Sequence, residues 1–131
     1  MPVGKNRPLI AVVDDEEPIR KALTRLLRSA GLDVESFPSG FEFLESIPSR
    51  HPDCVVLDLH MPGLNGFEVQ ARLAKSGAPV PVVIITGHDS TETRALALAG
   101  KPLAYLRKPV DDQALLDAIE LALNSTRSPS S

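Results

Sequence analysis

Residues 54–66, with the sequence CVVLDLHMPGLNG, decide the fold of this 131-residue chain. The first four residues are continuously apolar, as in a strand that is buried on both faces of a parallel sheet. Asp58 follows directly, and the residues after it contain the proline, glycines and asparagine that are typical of a loop. The stretch therefore predicts a buried strand that places a carboxylate at one edge of a sheet.

Short apolar runs alternate with longer amphipathic segments on both sides of this stretch. Further strands are expected at residues 9–13, 33–37, 81–85 and 103–106. The second of these is partly polar, which fits a position at the edge of the sheet. An alternation of strands and helices predicts an α/β fold with parallel strands, right-handed crossovers and helices on both faces.

Local signals mark where several helices begin and end. Ser39 and Glu42 have the spacing of a capping box, and Asp111 is placed to cap the last helix. Residues 8–123 contain all five strand–helix units and are expected to form one domain. Residues 124–131 have no apolar stripe to bury and are expected to be a flexible tail or linker.

Composition and charge restrict the classes of function. Fourteen basic and 17 acidic residues give a formal charge of -3, which disfavours a domain held on nucleic acid by broad electrostatics. No apolar run approaches the roughly 20 residues that span a bilayer, and no signal peptide is visible, so the cytoplasm is the expected compartment. The single cysteine, Cys54, excludes an internal disulfide and is expected in the core.

Polar side chains follow four of the five predicted strands. Asp14 and Asp15 follow the first strand, and Asp58, Thr86 and Lys108 follow the third, fourth and fifth. Because ligands of such sheets bind beyond the carboxyl ends of the strands, we expect these side chains to meet. Converging carboxylates repel one another unless a cation or the lysine compensates their charge. A hard divalent ion such as Mg²⁺, together with a phosphoryl group, suits this set of residues.

With these residues in place, the chain resembles the receiver domain of two-component response regulators. The matching stretches are residues 12–16, 55–66, 83–88 and 105–109, in this order. The resemblance covers about residues 8–123, nearly the whole chain. It implies a flavodoxin-like, doubly wound sheet of five parallel strands in the order 2-1-3-4-5, with five helices.

The resemblance also implies the chemistry of the three acids. Asp58 would accept a phosphoryl group from a phosphohistidine on a sensor histidine kinase or a histidine phosphotransfer protein. Asp14, Asp15, Asp58 and the backbone carbonyl of His60 would bind Mg²⁺ or Mn²⁺. The domain would be a switch rather than an enzyme, limited to self-phosphorylation from small donors and to autodephosphorylation.

Other family residues are implied to bind the phosphoryl group and to transmit its presence. Thr86 and Lys108 would bind phosphoryl oxygens, and the Lys108–Pro109 peptide bond would be cis. Tyr105 would turn inward as Thr86 moves toward the phosphate, so that these two residues form the switch. The readout surface would comprise helix 4, strand 5 and helix 5, which include residues 89–99, 103–106 and 111–123.

The expected output is control of transcription through a further domain, with a self-dimer through the readout surface and no direct contact with nucleic acid or membrane. One alternative is a stand-alone phosphorelay or protein-interaction regulator. A second is a Mg²⁺-dependent aspartyl-phosphate phosphohydrolase, but such enzymes place Asp-x-Asp after the first strand, where this chain has Asp14-Asp15. A flavodoxin-like nucleotide or flavin carrier is also disfavoured, because the acidic residues 14–17 would repel a phosphate.

Two features remain open at this point. His60 and His88 stand two residues after Asp58 and Thr86, where family side chains tune hydrolysis of the acyl phosphate. Their imidazoles either orient water or are simply exposed. Lys101, which is followed by a proline, stands directly after a glycine, where the family pattern has a small or acidic residue. This departure leaves the path between the fourth helix and the last strand undefined.

Overall fold

A computed structural model describes residues 7–77 and 79–127. Over these residues, five strands form one sheet and five helices cover it. The strands are β1 (Leu9–Val13), β2 (Asp33–Phe37), β3 (Cys54–Asp58), β4 (Val82–Thr86) and β5 (Ala104–Arg107). The helices are α1 (Glu17–Ser29), α2 (Gly40–Ser46), α3 (Gly66–Lys75), α4 (Thr91–Ala99) and α5 (Asp112–Arg127).

The order of the strands confirms the predicted fold. All neighbouring strands are parallel, and their order is β2-β1-β3-β4-β5. Every residue of β3 and β4 is buried, whereas β2 and β5, at the two edges, are partly exposed. The continuous apolar runs therefore occupy the centre of the sheet, and the partly polar run 33–37 lies at its edge.

Alternate side chains of each strand pack into two separate apolar layers. In β1, Ile10 and Val12 contact the layer of α1 and α5, while Ala11 and Val13 face the layer of α2, α3 and α4. Full burial of such side chains contributes about 1.5–3 kcal/mol each for Val, Leu and Ile. Cys54 belongs to this core, as predicted, and burial together with the nearby Asp53 charge raises the pKa of its thiol to about 12.

The capping interactions differ in part from those predicted. Ser39 Oγ accepts a hydrogen bond from the Glu42 N–H at 3.2 Å, which is one of the two bonds of the expected capping box. The complete reciprocal box occurs at α3, between Asn65 and Glu68, with bonds of 2.9 and 3.0 Å. Asn65 lies at the end of the turn-rich stretch that follows Asp58, and its capping role is not apparent from that pattern. This box fixes where α3 begins, directly behind the loop that follows Asp58.

The last helix extends further than the predicted domain boundary. Asp111 Oδ2 accepts a hydrogen bond from the Ala114 N–H at 2.9 Å and caps α5, as predicted. The helix continues through Arg127, so the first four residues of the expected tail or linker, 124–127, are helical. Adding residues to an existing helix is much easier than nucleating one, and this favours the extension. Residues 128–131, the rest of the predicted tail, lie outside the described residues.

None of the helices within residues 7–77 and 79–127 is long and apolar enough to cross a membrane.

The turn after α4 shows how the unusual Lys101 is accommodated. A Cβ on Gly100 would lie 2.5 Å from Gln70 Nε2, so any other residue here would displace the Gln70 amide where the two helices approach. The buried Gln70 amide donates a hydrogen bond to the Ala97 carbonyl at 3.3 Å. The left-handed conformation then falls on Lys101, whose φ is 56°. Because glycine is used for packing at residue 100, the lysine adopts a conformation that costs a non-glycine residue about 1–2 kcal/mol.

Lys101→Gly is expected to stabilise the protein by about 0.5–1 kcal/mol, because it relieves this backbone cost, although the greater entropy of glycine in the unfolded chain offsets part of the gain. Urea unfolding followed by circular dichroism measures the change. Arg72→Gly, at an exposed position in the last turn of α3, is the control and should destabilise by up to about 1 kcal/mol. Equal destabilisation by both substitutions would contradict the assignment of strain to Lys101.

Candidate functional site

Three carboxylates meet at the carboxyl edge of the sheet. Asp58 is the last residue of β3, and Asp14 directly follows β1, which is paired with β3. One oxygen from each of Asp14, Asp15 and Asp58 lies within 4.8 Å of the others. Asp14 and Asp58 are buried, whereas Asp15 is exposed. The parallel register of the sheet thus places two carboxylates in the interior and a third at the solvent boundary.

Lys108 supplies the positive charge that these acids require. It follows β5, and its Nζ lies 2.9 Å from Asp14 Oδ2 and 3.5 Å from Asp58 Oδ1. The ammonium also donates a hydrogen bond to Glu16 Oε1 at 3.0 Å. Burial lowers the pKa of Lys108, but the contacts with Asp14 and Glu16 and the charge of Asp58 outweigh it, so the pKa lies above its ordinary value. The peptide bond to Pro109 is cis, as expected.

Glu16 is a site residue to which sequence analysis assigned no role. Its carboxylate extends the acidic cluster to the outer side of Lys108, and its backbone N–H donates to Asp14 Oδ1 at 2.8 Å. Arg20 has a related role, because its Nη1 donates to the Asp14 carbonyl at 2.7 Å. The acidic run 14–17 was the available signal for Glu16, but spacing alone did not show which of its members faces Lys108.

One carboxylate oxygen of Asp14 is a buried acceptor without a hydrogen bond. Among the buried side-chain polar atoms that the structure describes, Asp14 Oδ2 alone accepts no hydrogen bond of good geometry. Its nearest opposite charge is the Lys108 ammonium, at 2.9 Å. Buried carboxylate oxygens are normally paired or coordinate a metal ion. Asp14 Oδ2 is therefore compensated by charge alone, in a group of three converging carboxylates that suits a cation.

Thr86 presents a hydroxyl donor at the same edge. It is the last residue of β4 and is buried, one residue beyond Ile85, which pairs with Asp58. Its Oγ1 accepts a hydrogen bond from the His88 N–H at 3.1 Å. A hydroxyl that accepts one bond still has its own proton to donate. Thr86 can therefore donate to an additional oxygen at this site without losing its present bond.

Asp15, Glu16, Asp58 and Lys108 border an open pocket of about 400 Å³. The imidazoles of His60 and His88 are both exposed and both line it. Their ring centroids are 4.9 Å apart in an edge-to-face arrangement, and the His60 ring also packs edge-on against Phe67 at 6.3 Å. The two histidines thus form one packed unit at the mouth of the pocket, rather than two independent surface side chains.

The loop that follows Asp58 returns tightly beneath the site. The Gly66 N–H donates to the Leu59 carbonyl at 2.9 Å, and a Cβ on Gly66 would lie 2.6 Å from the Asp58 carbonyl oxygen. Only glycine allows this approach. The final residue of the stretch 54–66 therefore brings the start of α3 against the strand end that holds the carboxylate.

Tyr105 lies in β5 on the same face of the sheet as Thr86. It pairs with Ile84, two residues before Thr86, and packs partly buried against the α2, α3 and α4 layer. Its hydroxyl donates to Asp89 Oδ1 at 2.8 Å. Sequence analysis gave Asp89 no individual role, since nothing in the spacing of the loop indicates a partner 16 residues away.

The charge of Asp58 is destabilising in this setting. Burial, followed by the neighbouring charge of Asp14, raises its pKa from 3.8 to about 6, although Lys108 acts in the opposite direction. Because the folded-state pKa exceeds the unfolded value, the folded protein holds this proton more tightly. The resulting stability is fully present below about pH 4 and is lost as the pH rises through 6.

Asp58→Asn is therefore expected to stabilise the protein at pH 7.5 without divalent cations, by about 1–2 kcal/mol, because it removes a buried like charge. The gain should shrink as the pH falls from 7 toward 4. Urea unfolding in a chelating buffer at several pH values measures it, with Asp33→Asn, an exposed acid of β2, as the control. A stability difference that does not change with pH would contradict the raised pKa.

Comparison with known proteins identifies the family. The sequence profile of the response regulator receiver domain matches residues 10–120. Nodulation protein W of Bradyrhizobium diazoefficiens is 38% identical over 124 residues, which cover 95% of this chain and 55% of that protein. Transcriptional regulatory protein TdiR of Thauera aromatica is 36% identical over 122 residues, covering 93% and 54%. The chain thus spans about half the length of the curated relatives it matches.

Solved structures agree with the sequence matches. A response regulator receiver protein from Burkholderia phymatum superposes with a TM-score of 0.80 at 45% identity, covering 90% of this chain and 96% of that chain. The crystal structure titled FixJ-N gives a TM-score of 0.84 at 31% identity, covering 91% and 95%. Fold, sequence profile and relatives agree over most of the length, and the chain belongs to the response regulator receiver domain family.

Proposed function

We propose that this domain is a phosphoryl-accepting signalling switch in which Asp58 receives the phosphoryl group. The observation that carries the proposal is the position of the Asp58 carboxylate. It borders an open pocket, with Asp14 and Asp15 within 4.8 Å and the Lys108 ammonium at 3.5 Å. A nucleophilic carboxylate surrounded by metal-binding acids and an ammonium is suited to phosphoryl transfer.

The donor set fits Mg²⁺ or Mn²⁺. These ions prefer oxygen ligands, and the cluster offers the three carboxylates Asp14, Asp15 and Asp58, including the unsatisfied Asp14 Oδ2. We assign these carboxylates and the backbone carbonyl of His60 as the protein ligands. When bound, the ion supplies charge stabilisation to the oxygens of the transferring phosphoryl group.

The chemical step begins at an Asp58 oxygen. That oxygen forms a bond to phosphorus while the P–N bond of a phosphohistidine breaks, and the imidazole of the donor leaves with the electron pair. Lys108 is positioned to bind one phosphoryl oxygen, and Thr86 has a free hydroxyl proton for another. The physiological donor in this proposal is a sensor histidine kinase or a histidine phosphotransfer protein.

The acyl phosphate alters the site because it adds roughly two negative charges beside the buried Asp14. Thr86 gains a phosphoryl contact only in that state, which supplies the differential interaction that a switch needs. Movement of Thr86 is transmitted to Tyr105 on the same sheet face. The readout surface in this proposal comprises α4, β5 and α5, where Leu96, Leu98 and Leu121 are exposed.

The output that we propose is regulation of transcription through a further domain or partner, with self-association through the readout surface. Relatives with names such as Transcriptional regulatory protein TdiR support this assignment, and this chain covers 54% of that relative. The receiver itself acts as a substrate of phosphorylation and catalyses only the gain and loss of its own phosphoryl group.

Incubation with acetyl phosphate and Mg²⁺ is expected to add one phosphoryl group to the intact protein, seen by mass spectrometry and removed by hydroxylamine. Asp58→Asn should abolish the adduct, whereas Asp33→Asn should retain it. Chelation of the metal should suppress the reaction, because the positive charge of the ion then no longer offsets the repulsion between the carboxylates and the incoming phosphoryl group. An adduct that persists in Asp58→Asn would contradict the assignment of Asp58 as the phosphoryl acceptor. Rapid turnover of the donor without an adduct would favour a phosphohydrolase.

His60→Ala is expected to leave phosphorylation intact but to shorten the lifetime of the acyl phosphate. The His60 ring packs against His88 and Phe67 at the mouth of the pocket, and its removal opens Asp58 to water. Decay of the adduct after removal of the phosphodonor measures the effect. His51→Ala, outside the pocket lining, is the control. Equal lifetimes in His60→Ala and the parent would exclude the proposed role, and a longer lifetime would assign water activation to His60.

A further inference from the structure

Asp89 is the centre of a polar network around Tyr105. The Tyr105 hydroxyl donates a hydrogen bond to Asp89 Oδ1 at 2.8 Å. The other oxygen, Oδ2, lies 3.8 Å from Arg94 Nη2 and 3.7 Å from Arg107 Nη1. The Arg94 guanidinium also lies over the Tyr105 ring, 5.0 Å from its centroid. One carboxylate in the loop between β4 and α4 therefore contacts side chains of both β5 and α4.

The loop links this carboxylate mechanically to Thr86. The His88 N–H is bonded to Thr86 Oγ1 at 3.1 Å on one side of Asp89. On the other side, Ser90 Oγ accepts a hydrogen bond from the Thr93 N–H at 3.0 Å and caps α4. The backbone is restrained on both sides of Asp89, so a displacement of the Thr86 hydroxyl also displaces Asp89.

The contact with Tyr105 is the strongest part of the network. The two arginine pairs are long, and the arginine side chains are 53% and 70% exposed, so solvent and salt screen them. A short hydrogen bond from a hydroxyl to a carboxylate is charge-assisted and stronger. Partial burial and the bond to Asp89 raise the pKa of Tyr105, so the phenol keeps its proton and remains a donor.

We propose that Asp89 is a positioning residue that holds Tyr105 in the orientation seen here and thereby opposes the phosphorylated conformation. This inference rests on the proposed function, in which Thr86 moves toward the phosphoryl group on Asp58. Movement of Thr86 carries Asp89 away from Tyr105, so the contact is present in one state and lost in the other. A contact with different free energy in the two states biases the equilibrium between them.

The sequence provides a probe for this contact. Tyr105 is the single tyrosine of the chain, and the chain has no tryptophan. Replacement of tyrosine by fluorotyrosine during expression therefore gives one fluorine NMR resonance, which reports the surroundings of this ring alone. The position of that resonance in the unphosphorylated protein is independent of any phosphorylation chemistry.

The experiment compares Asp89→Ala and Asp89→Asn with the parent, and Glu92→Gln is the matched control. Glu92 is an exposed acid in the first turn of α4, so its substitution removes the same charge nearby. Fluorine spectra are recorded with and without acetyl phosphate and Mg²⁺, and the rate of adduct formation is measured by mass spectrometry. Circular dichroism verifies folding, and Asp89→Asn, which keeps an acceptor oxygen, is the more conservative of the two variants.

In Asp89→Ala the fluorine resonance of the unphosphorylated protein should move toward its position in the phosphorylated parent. The rate of phosphorylation should rise about threefold to tenfold, as expected for loss of one charge-assisted hydrogen bond. Asp89→Asn should show a smaller change, and Glu92→Gln none. Combining Asp89→Ala with Tyr105→Phe should accelerate phosphorylation no more than Tyr105→Phe alone, because both remove one contact.

An unphosphorylated resonance that Asp89→Ala leaves in place would overturn the positioning role. If the resonance moves but phosphorylation is no faster, the proposal that Asp89 opposes the phosphorylated conformation is overturned. If the parent itself forms no adduct on Asp58, the proposed function fails. The spectra of the unphosphorylated proteins then still decide whether Asp89 positions Tyr105.

Discussion

The sharing of the Lys108 ammonium among three carboxylates is the interaction on which the site depends. Its Nζ lies within 3.5 Å of Asp14, Glu16 and Asp58, and two of these acids are buried. Loss of the ammonium would leave the buried carboxylates of Asp14 and Asp58 uncompensated, which is strongly destabilising. The long lysine side chain bridges from the edge strand β5 to the ends of the central strands, so one residue compensates acids from different parts of the chain.

The sheet tolerates this concentration of charge because polar groups are confined to the carboxyl ends of the central strands or to the residue that follows. In β3, residues 54–57 are fully buried and apolar, and Asp58 ends the strand. In β4, an apolar run is ended in the same way by Thr86. Parallel register then brings these ends together: Asp58 pairs with Ile85, directly before Thr86. Apolar burial in the strands thus fixes the relative positions of the Asp58 carboxylate and the Thr86 hydroxyl.

Sequence patterns predicted the strands, their parallel arrangement and the residues that converge, because strand periodicity and the ends of strands are local properties. They did not predict contacts made by side chains from distant segments. Asp89 and Tyr105 are 16 residues apart, and their bond depends on how the loop after β4 lies against β5. The left-handed conformation of Lys101 is a similar case, since it follows from the close approach of Gln70 to Gly100. The sequence shows that Glu16 belongs to an acidic run, but it does not indicate that Glu16 is the member that contacts Lys108.

The attachment of α4 has a consequence for local stability. Among the residues of this helix, Ala97 alone is buried, while Leu96 and Leu98 are exposed. The helix is instead joined to its surroundings by polar contacts near its two ends: Asp89 with β5, and Gln70 with the Ala97 carbonyl. Segments that bury little apolar surface open at a lower free energy than the global unfolding of the protein. We therefore expect the amide protons of α4 to exchange faster than those of the sheet, so that this helix can rearrange while the core that holds Asp58 stays folded.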